Sequence, residues 1–539
     1  MRWWGWGDPG HGPILTGAAL DFLNGEVGVA PDPRPPVALA NVSLAASALD
    51  EGTLEALRAV VGSEAVRSDH AARVFHAGGK GYPDLVRMRA GEPEGAPDAV
   101  LLPSDREHVQ RLLAACERSS LAVVPFGGGT SVVGGLAPLR GGHRGVVALE
   151  MQRMGRVLGI DRASLTVTVE AGARAAAVEA HLAQRGLTLG HFPQSFEYVS
   201  LGGCAATRSA GQASSGYGSI EKMVAGLRLC APSGEIELPA YPASAAGPSM
   251  RQILVGSEGI LGVITELSLR VRPAPRERCY EGVFFESFAA GIEALRALAQ
   301  EHARPEIARL SNEQETRVSL ALAAAGGGVK ARAGEAYLRA RGYGEGCLAI
   351  LGYEGEPAEV HSRRRRAHAL VRHLGALRVG RSPGEAWARS RYEAPYLRDE
   401  LLTHGVMVET LETATQWSNL KALHDSVERA ISETLAAWRT PGLVMCHVSH
   451  LYDTGASLYF TFLARQHDEQ AIAQWRAVKE AASAAIVHGG GTITHHHAVG
   501  RDHAPWMVDE VGTSGRAALQ SLKATLDPAG IMNPGKLIA

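Results

Sequence analysis

Residues 121–131 read LAVVPFGGGTS, a short apolar run followed by three glycines and two hydroxyl side chains. The apolar residues predict a buried strand, and Gly127, Gly128 and Gly129 predict a turn after it. The run has neither the lysine of a P-loop nor the G-x-G-x-x-G spacing of a Rossmann turn. Because glycines carry no Cβ, such a run can present several backbone N–H groups to a phosphate. An ordinary glycine-rich turn is the alternative.

Two further segments are rich in glycine and small residues. Residues 193–211 read PQSFEYVSLGGCAATRSAG, and residues 256–265 read GSEGILGVIT. Three such segments are hard to explain as independent turns, whereas one ligand shared by all three would satisfy their backbone N–H groups. The candidate ligand contacts are Pro125, Gly127, Gly128, Gly129, Thr130, Ser131, Pro193, Ser195, Gly202, Gly203, Thr207, Ser209, Gly211, Gly256, Ser257, Glu258, Gly259, Gly262, Val263 and Ile264.

Composition excludes several classes of protein. The 539 residues are 45% hydrophobic and 20% charged, with a formal net charge of -2, so we expect no binding to nucleic acid. The six cysteines include no C-x-x-C pair, which disfavours a disulfide framework and a thiolate zinc site. The N-terminus has no apolar run of the signal-peptide kind, and we find no apolar run long enough to span a membrane. We therefore expect a cytoplasmic protein.

The three motifs together resemble the FAD-binding enzymes of the vanillyl-alcohol oxidase type. They are P-x-G-G-G-T-S at 125–131, P-x-S-x-E-x-x-x-x-G-G at 193–203 and G-S-E-G-I-L-G-V-I-T at 256–265. Within that superfamily the chain is most similar to the alkyldihydroxyacetonephosphate synthases. That narrower resemblance rests on His76-Ala77, Gly190-His191, Arg309-Leu310, Pro395–Asp399, Glu412-Thr413-Ala414, Tyr452-Asp453, His495-His496-His497 and Asn533–Leu537. The chain departs from the eukaryotic members at Ser311-Asn312 and at 212–216.

The resemblance implies an α+β fold with four parts. Residues 1–93 form an N-terminal helical segment, and residues 94–275 form a two-subdomain FAD-binding domain of the PCMH type. Residues 276–485, which follow the punctuation of Pro273 and Pro275, form an α/β cap domain over the substrate. Residues 486–539 complete the active site and pack back on the FAD domain. Within 94–275 we predict, among others, a helix over 105–119 with Ser104 as its N-cap.

The resemblance also implies FAD as the cofactor. Covalent members of the superfamily attach the flavin to a histidine in or near the first glycine motif, and residues 127–131 contain none. We therefore predict non-covalent FAD. His191 is placed near the flavin by the resemblance, with a partly buried loop histidine as the alternative.

Further candidates for chemistry lie toward the C-terminus. The resemblance makes Tyr452 the acid/base candidate, and a buried phenol beside cationic groups can have a lowered pKa. His495, His496 and His497 are assigned to proton transfer and substrate-phosphate binding; in an extended segment the first and third would share one face. They have no partner at a zincin spacing, so we predict no metal. Arg309 and Arg398 would bind a phosphate or carboxylate; without the motifs, each would be read as a surface arginine.

The implied reaction replaces the acyl chain of acyl-dihydroxyacetone phosphate with a long-chain alcohol, as in ether-lipid synthesis. The alternative is an FAD-dependent dehydrogenase or oxidase of 2-hydroxy acids such as D-lactate or glycolate. A third interpretation is a flavin- or nucleotide-binding module without chemistry, although Tyr452, the three histidines and the two arginines argue against it. We expect a small-molecule or lipid substrate, peripheral contact with a membrane and a homodimer.

Overall fold

The computed structural model describes residues 1–8, 10–12, 15, 17–325, 329–440 and 442–538. Helices and three larger sheets are combined in it, so the predicted α+β class is confirmed. The N-terminal region contains α1 (Gly17–Val27), α2 (Glu51–Val61), β1 (Val66–Arg67), α3 (His70–Phe75) and α4 (Tyr82–Ala90).

The first sheet carries the first glycine motif. Its strands are β1, β2 (Ala99–Leu101), β3 (Leu121–Phe126) and β4 (Gly145–Glu150), in the order β1-β2-β4-β3, with α5 (Arg106–Arg118) between β2 and β3. The two strands beside β4 run parallel to it. The N-cap of α5 is Asp105 and not Ser104 as predicted, because the Asp105 carboxylate accepts the hydrogen bond of the His108 N–H.

The second sheet is antiparallel and carries the other two glycine motifs beside it. Its order is β5-β6-β10-β8-β9, and a separate two-stranded pair joins β7 to β11. The strands are β5 (Val157–Asp161), β6 (Thr166–Glu170), β7 (Leu187–Thr188), β8 (Val224–Ala231), β9 (Gly234–Leu238), β10 (Val263–Arg270) and β11 (Arg272–Pro273). The helices are α6 (Ala175–Ala183), α7 (Leu201–Ala206), α8 (Ser214–Tyr217), α9 (Ile220–Met223) and α10 (Met250–Leu254).

The third sheet consists of the strands β12 (Glu277–Phe285), β13 (Ile307–Ser311), β14 (Cys347–Gly355), β15 (Leu377–Gly380), β16 (Val406–Gln416), β17 (Gly442–Leu451) and β18 (Gly455–Arg465). It is antiparallel, in the order β15-β12-β14-β13-β17-β18-β16. The helices of this region are α11 (Phe288–Gln300), α12 (Glu313–Ala325), α13 (Val329–Ala340), α14 (Pro357–His373), α15 (Ser382–Ser390), α16 (Ala394–Thr403), α17 (Leu420–Ala437) and α18 (Ala471–His488).

Alternation along the strands gives the third sheet two different faces. On β18, Phe460 and Phe462 are buried in the main core with residues of α11, α14, α17 and α18. Tyr459, Thr461 and Leu463 line a cavity on the opposite face. Because successive side chains of a strand point to opposite faces, one sheet can complete a core and form the wall of a site.

The C-terminal residues return to the first two sheets. After α19 (Met507–Leu526), Met532 pairs with Val123 in a parallel bridge beside β3. The Lys536 ammonium group donates to the backbone oxygen of Ala137. Among the described residues no helix is both long and apolar enough to cross a membrane.

Candidate active site

A cavity of about 780 Å³ is lined by all three glycine motifs and by the third sheet. All of the predicted cofactor contacts line it except Gly256 and Ser257. Gly256 instead packs against the side chain of Arg208, and the Ser257 hydroxyl is buried without a hydrogen-bond partner among the described residues. The sequence therefore located one wall of the cavity almost residue by residue.

The glycine loop leaves hydrogen-bond donors facing no protein acceptor. Within the described ranges, no residue accepts a hydrogen bond from the backbone N–H of Gly128, Gly129, Thr130 or Ser131. A Cβ on Gly128 would lie 2.4 Å from the backbone oxygen of Tyr198. Only glycine therefore permits the first glycine motif to pack this closely on the second. Several adjacent unpaired N–H groups fit the pyrophosphate of FAD, because a buried donor is costly to leave unsatisfied.

Glu258 of the third glycine motif holds the C-terminal region against the cavity. Its carboxylate accepts hydrogen bonds from the N–H groups of Val499 and Gly500, at 2.8 and 2.7 Å. Its backbone oxygen accepts from the Asn533 amide at 2.7 Å. Burial raises the pKa of this carboxyl group to about 7, although both N–H donors oppose that shift. Glu258 thus positions the segment that follows the three histidines.

Tyr452 and the histidines form a connected chain. The Tyr452 hydroxyl lies 2.5 Å from Nε2 of His495, and Nδ1 of His495 lies 3.0 Å from Nδ1 of His496. His450 stacks on His495 with ring centroids 5.0 Å apart. His450, His496 and His497 line the cavity, whereas Tyr452 and His495 are not among the described residues that line it. The phenol therefore reaches the cavity through imidazoles.

The carboxylate of Glu412 on β16 organises this group. It accepts hydrogen bonds from the backbone N–H groups of His495, His496 and His497 and from the Thr494 hydroxyl. The three histidines consequently wrap around one buried carboxylate in a series of bends. Our expectation for an extended segment, with His495 and His497 on one face, does not apply, because the carboxylate draws three successive N–H groups to one point.

Burial sets the protonation states. It lowers the pKa of His495 to about 4 and those of His496 and His497 to about 3, so all three are neutral imidazoles near pH 7. The lowered pKa that cationic neighbours can give a buried phenol is not found at Tyr452. Burial first, and then the charges of Glu221 and Glu412, raise its pKa above the usual value of a phenol, although Lys222 lies 5.8 Å from the ring centroid.

Arg309 belongs to a second polar network in the cavity wall. Its guanidinium group donates to the Glu315 carboxylate and lies 3.1 Å from Nε2 of His447. Nδ1 of His447 lies 3.0 Å from the same carboxylate. Burial alone would raise the pKa of Glu315, but His447 and Arg309 together lower it to about 2. A carboxylate therefore already balances the charge of Arg309.

Arg398 and His191 differ in their access to the cavity. Arg398 lines it, and its Nε and Nη2 atoms are buried without hydrogen-bond partners among the described residues. His191 is buried behind Ser209, whose hydroxyl lies 2.8 Å from its Nε2. Burial lowers the pKa of His191 to about 4. Arg398 thus reaches the cavity wall, although these two atoms are themselves buried, whereas Ser209 separates His191 from the cavity.

An apolar arm extends the cavity between helices and the third sheet. It is lined by Leu15, Leu23, Val318, Leu322, Leu397, Leu401, Val408, Met445 and Leu463. All of these side chains also belong to, or pack on, one hydrophobic cluster. The cavity therefore joins a polar, histidine-rich end to an arm suited to a hydrocarbon chain.

Sequence reasoning missed His447 and His450, which both line the cavity. Residues three apart on a regular strand face opposite sides, so the spacing predicts only one histidine on the cavity side. The pairing of β17 with β18 shifts register between Val448 and Leu451, and that irregularity turns His450 toward the cavity. Glu412 offered a clearer signal, because a carboxylate among the mixed apolar and threonine residues of β16 requires partners if it is buried.

The comparisons with known proteins agree with this geometry. A family model described as "FAD binding domain" matches residues 97–238, and one described as "FAD linked oxidases, C-terminal domain" matches residues 274–537. The solved structure of p-cresol methylhydroxylase with substrate bound superposes with a TM-score of 0.70 at 14% identity, over 92% of this chain and 99% of that one. That similarity shows the fold. The two family models show that FAD is the cofactor of this protein.

Closer relatives define the family. The alkyldihydroxyacetonephosphate synthase of Dictyostelium discoideum is 34% identical over 488 residues, which cover 89% of this chain and 80% of that protein. A solved alkyldihydroxyacetonephosphate synthase structure superposes with a TM-score of 0.86 at 30% identity, over 99% of this chain and 98% of that one. By sequence and by fold alike, this chain belongs to the alkyldihydroxyacetonephosphate synthase family.

Proposed function

We propose that this protein is an FAD-dependent enzyme that replaces the acyl chain of acyl-dihydroxyacetone phosphate with a long-chain alcohol. The observation that carries the proposal is the apolar arm, which opens from the same cavity as the glycine loop and the histidines. A small 2-hydroxy acid such as D-lactate or glycolate has no hydrocarbon chain to fill such an arm. A substrate with a polar head and a long chain uses both ends of the cavity.

The residues of the polar end are suited to moving a proton. Formation of the ether bond takes a proton from the alcohol, and the fatty acid leaves as a carboxylate. If Nε2 of His495 carries the hydrogen and donates to the Tyr452 oxygen, then Nδ1 of His495 accepts a hydrogen bond from Nδ1–H of His496. A neutral His496 at the cavity wall then has a free Nε2 that can accept the proton of the alcohol, while its Nδ1 hydrogen can move toward His495 and Tyr452.

Bound FAD supplies an electron-accepting ring at which the three-carbon unit is activated, and its oxidation state is the same before and after the exchange. The protein binds and orients the groups around that ring. The unpaired N–H groups of Gly128–Ser131 hold the pyrophosphate, the apolar arm holds the chain, and Arg398, which lines the cavity, binds an anionic head group. Glu412 keeps the three histidines in place.

Non-covalent attachment of FAD is part of the proposal, since residues 127–131 contain no histidine. We expect acid precipitation of the yellow protein to release the flavin into the supernatant, where its absorbance is measured. Flavin that stays in the washed pellet would contradict the proposal.

Peripheral contact with a membrane follows from the proposed substrate, because a long-chain lipid must enter the apolar arm from a bilayer or micelle. Flotation with liposomes that contain the substrate would test it. The homodimer implied by the resemblance stays a prediction, which analytical ultracentrifugation tests directly.

The two enzymatic functions are separated by one anaerobic experiment. We expect the FAD-loaded protein to incorporate a labelled long-chain alcohol into an ether lipid when acyl-dihydroxyacetone phosphate is present. D- and L-2-hydroxy acids, added in turn, should leave the flavin oxidised. Bleaching of the flavin by a 2-hydroxy acid, with no labelled ether formed, would establish the oxidoreductase instead.

A further inference from the structure

The ring of His450 lies at the polar end of the cavity, and the proton chain from Tyr452 does not use it. His450 on β17 lines the cavity, and only 4% of the residue is exposed. Its ring stacks on His495 with centroids 5.0 Å apart and meets the ring of His496 edge to face at 5.4 Å. One nitrogen from each of these three rings lies within 4.8 Å of the other two. His450 therefore adjoins the imidazole that accepts the proton of the alcohol.

Both ring nitrogens of His450 lack a hydrogen-bond partner among the described residues, and only its backbone N–H is bonded, to the Ser457 hydroxyl. The two nitrogens differ in access. Nδ1 is fully buried, whereas Nε2 is not among the buried unpaired atoms and so keeps accessible surface. Because His450 lines the cavity, Nε2 is the nitrogen that a ligand there can reach.

The position of the ring hydrogen follows from this difference. A neutral imidazole carries one hydrogen, on either nitrogen. On Nδ1 it would be a buried N–H without an acceptor, which folded proteins rarely contain, so we assign it to Nε2. Burial first, and then the neighbouring His495 and His496, lower the pKa of His450 well below its usual value. Near pH 7 the ring is therefore a neutral hydrogen-bond donor.

The other polar side chains of β17 that line the cavity already have partners. Both ring nitrogens of His447 lie within hydrogen-bond distance of charged side chains, at 3.1 and 3.0 Å. The Ser449 hydroxyl lies 2.9 Å from that of Ser457. His450 is thus the residue of this strand whose donor is left for a ligand.

The place of His450 along β17 indicates which part of the substrate it meets. Met445 of the same strand lines the apolar arm, and His450 follows it toward the polar end. A chain that fills the arm therefore directs its carboxyl end toward His450. The entering alcohol and the leaving carboxylate exchange at one carbon, so the leaving oxygen lies beside the two adjacent imidazoles, His450 and His496.

We propose that His450 is a catalytic residue whose Nε2–H donates a hydrogen bond to the carboxylate oxygen that leaves the substrate. The bond from that oxygen to the three-carbon unit breaks, and its electron pair stays on the fatty acid as the charge that the N–H stabilises. In the completed exchange the alcohol oxygen supplies the new bond, and its proton goes to His496. The hydrogen of His450 stays in place, because a carboxylate is too weak a base to take it. The choice of leaving group rests on the proposed function.

The test uses three substitutions of His450. His450→Gln places an amide N–H near the position of Nε2, His450→Asn places one near Nδ1, and His450→Phe retains only a stacking ring. Rapid-quench measurement of fatty acid release in a single turnover of the FAD-loaded protein follows the step itself. We expect the Phe and Asn variants to release fatty acid about a hundredfold more slowly, the usual effect of removing a donor to a developing negative charge. The Gln variant should retain most of the rate.

His424→Phe is a matched control. His424 is also 4% exposed and stacks on Phe460, but it is not among the described residues that line the cavity. Its folded variant should release fatty acid at the rate of the unaltered protein.

A second readout separates catalysis from a structural effect. Two fluorine atoms on the carbon next to the carboxyl group make the fatty acid a weaker base, so its departure needs less help from a hydrogen bond. The rate lost in His450→Phe should therefore be smaller for the difluorinated substrate than for the unsubstituted one. A distorted cavity would slow the release of both equally.

Several outcomes would overturn the proposal. Release by His450→Phe at the rate of the unaltered protein would refute it, as would an equal loss with both substrates or a fast Asn variant beside a slow Gln variant. Should His450→Phe not fold, as judged by Tm and FAD content, the Gln and Asn variants decide, and equal rates would refute the proposal. If the unaltered protein itself releases no fatty acid, the proposed function fails and the assigned leaving group fails with it.

Discussion

At the scale of single residues, the proposed chemistry depends on a phenol that stays protonated beside imidazoles that stay neutral. Tyr452→Phe removes one hydroxyl with little change in volume, so the fold and FAD binding should be retained. We expect kcat to fall by about a hundredfold or more, the usual contribution of a positioned acid/base. Turnover of acyl-dihydroxyacetone phosphate with labelled alcohol measures the change.

The FAD content and Tm of Tyr452→Phe serve as controls, since both should match the parent. A variant that turns over within about threefold of the parent would make the phenol structural, because proton transfer normally contributes far more. The acid/base role would then pass to His495, His496 and His497, two of which line the cavity directly.

The pH dependence of kcat/KM follows from the same groups. Protonation of His495, whose pKa burial lowers to about 4, would break the chain from Tyr452 to His496, so activity should fall on acidification near pH 4. Tyr452 has a pKa raised above the usual value of a phenol, so its ionisation causes no loss up to about pH 10. Activity that falls with a midpoint near pH 6.5 would show that the imidazoles titrate as exposed groups.

At the scale of secondary-structure elements, α12 and α16 lie opposite strands of the third sheet and enclose the apolar arm. Val318 of α12 is buried there, and Val318→Phe inserts a larger ring into the arm. We expect KM for a 16-carbon acyl substrate to rise about tenfold, with little effect on an 8-carbon substrate, because a larger ring in the arm leaves less room for the longer chain.

Val508→Phe is a matched control for this substitution, since Val508 lies exposed on α19. It should leave both substrates unaffected. If Val318→Phe changes KM for short and long chains equally, the arm does not hold the acyl chain, and another apolar surface must do so.

Elements differed in how far the sequence predicted them. The apolar run 121–126 and the three glycine motifs predicted β3 and most of one cavity wall, because their signals are local. The placement of His450 depends on an irregular register between two strands, and the shape of 495–497 depends on Glu412, which is distant in sequence. Such long-range contacts leave no periodic signal, and the boundaries proposed between the four parts of the chain stay predictions.

At the scale of the whole molecule, distant parts of the chain meet at one cavity. Trp6 from the N-terminal segment, the glycine motifs, the third sheet and Asn533 near the C-terminus all line it. Glu258 joins the third glycine motif to the C-terminal region through its hydrogen bonds to Val499, Gly500 and Asn533. In the proposed function, this one cavity holds the flavin, the head group and the chain of the substrate together.

The central claim is an exchange of chains with no net oxidation or reduction. The most direct measurement is the anaerobic stoichiometry of fatty acid released to labelled ether lipid formed, with no electron acceptor and with the flavin spectrum recorded throughout. We expect equal amounts of the two products over many turnovers and a flavin that is oxidised at the end. Fatty acid release without ether, or turnover that stops when the flavin is reduced, would contradict it.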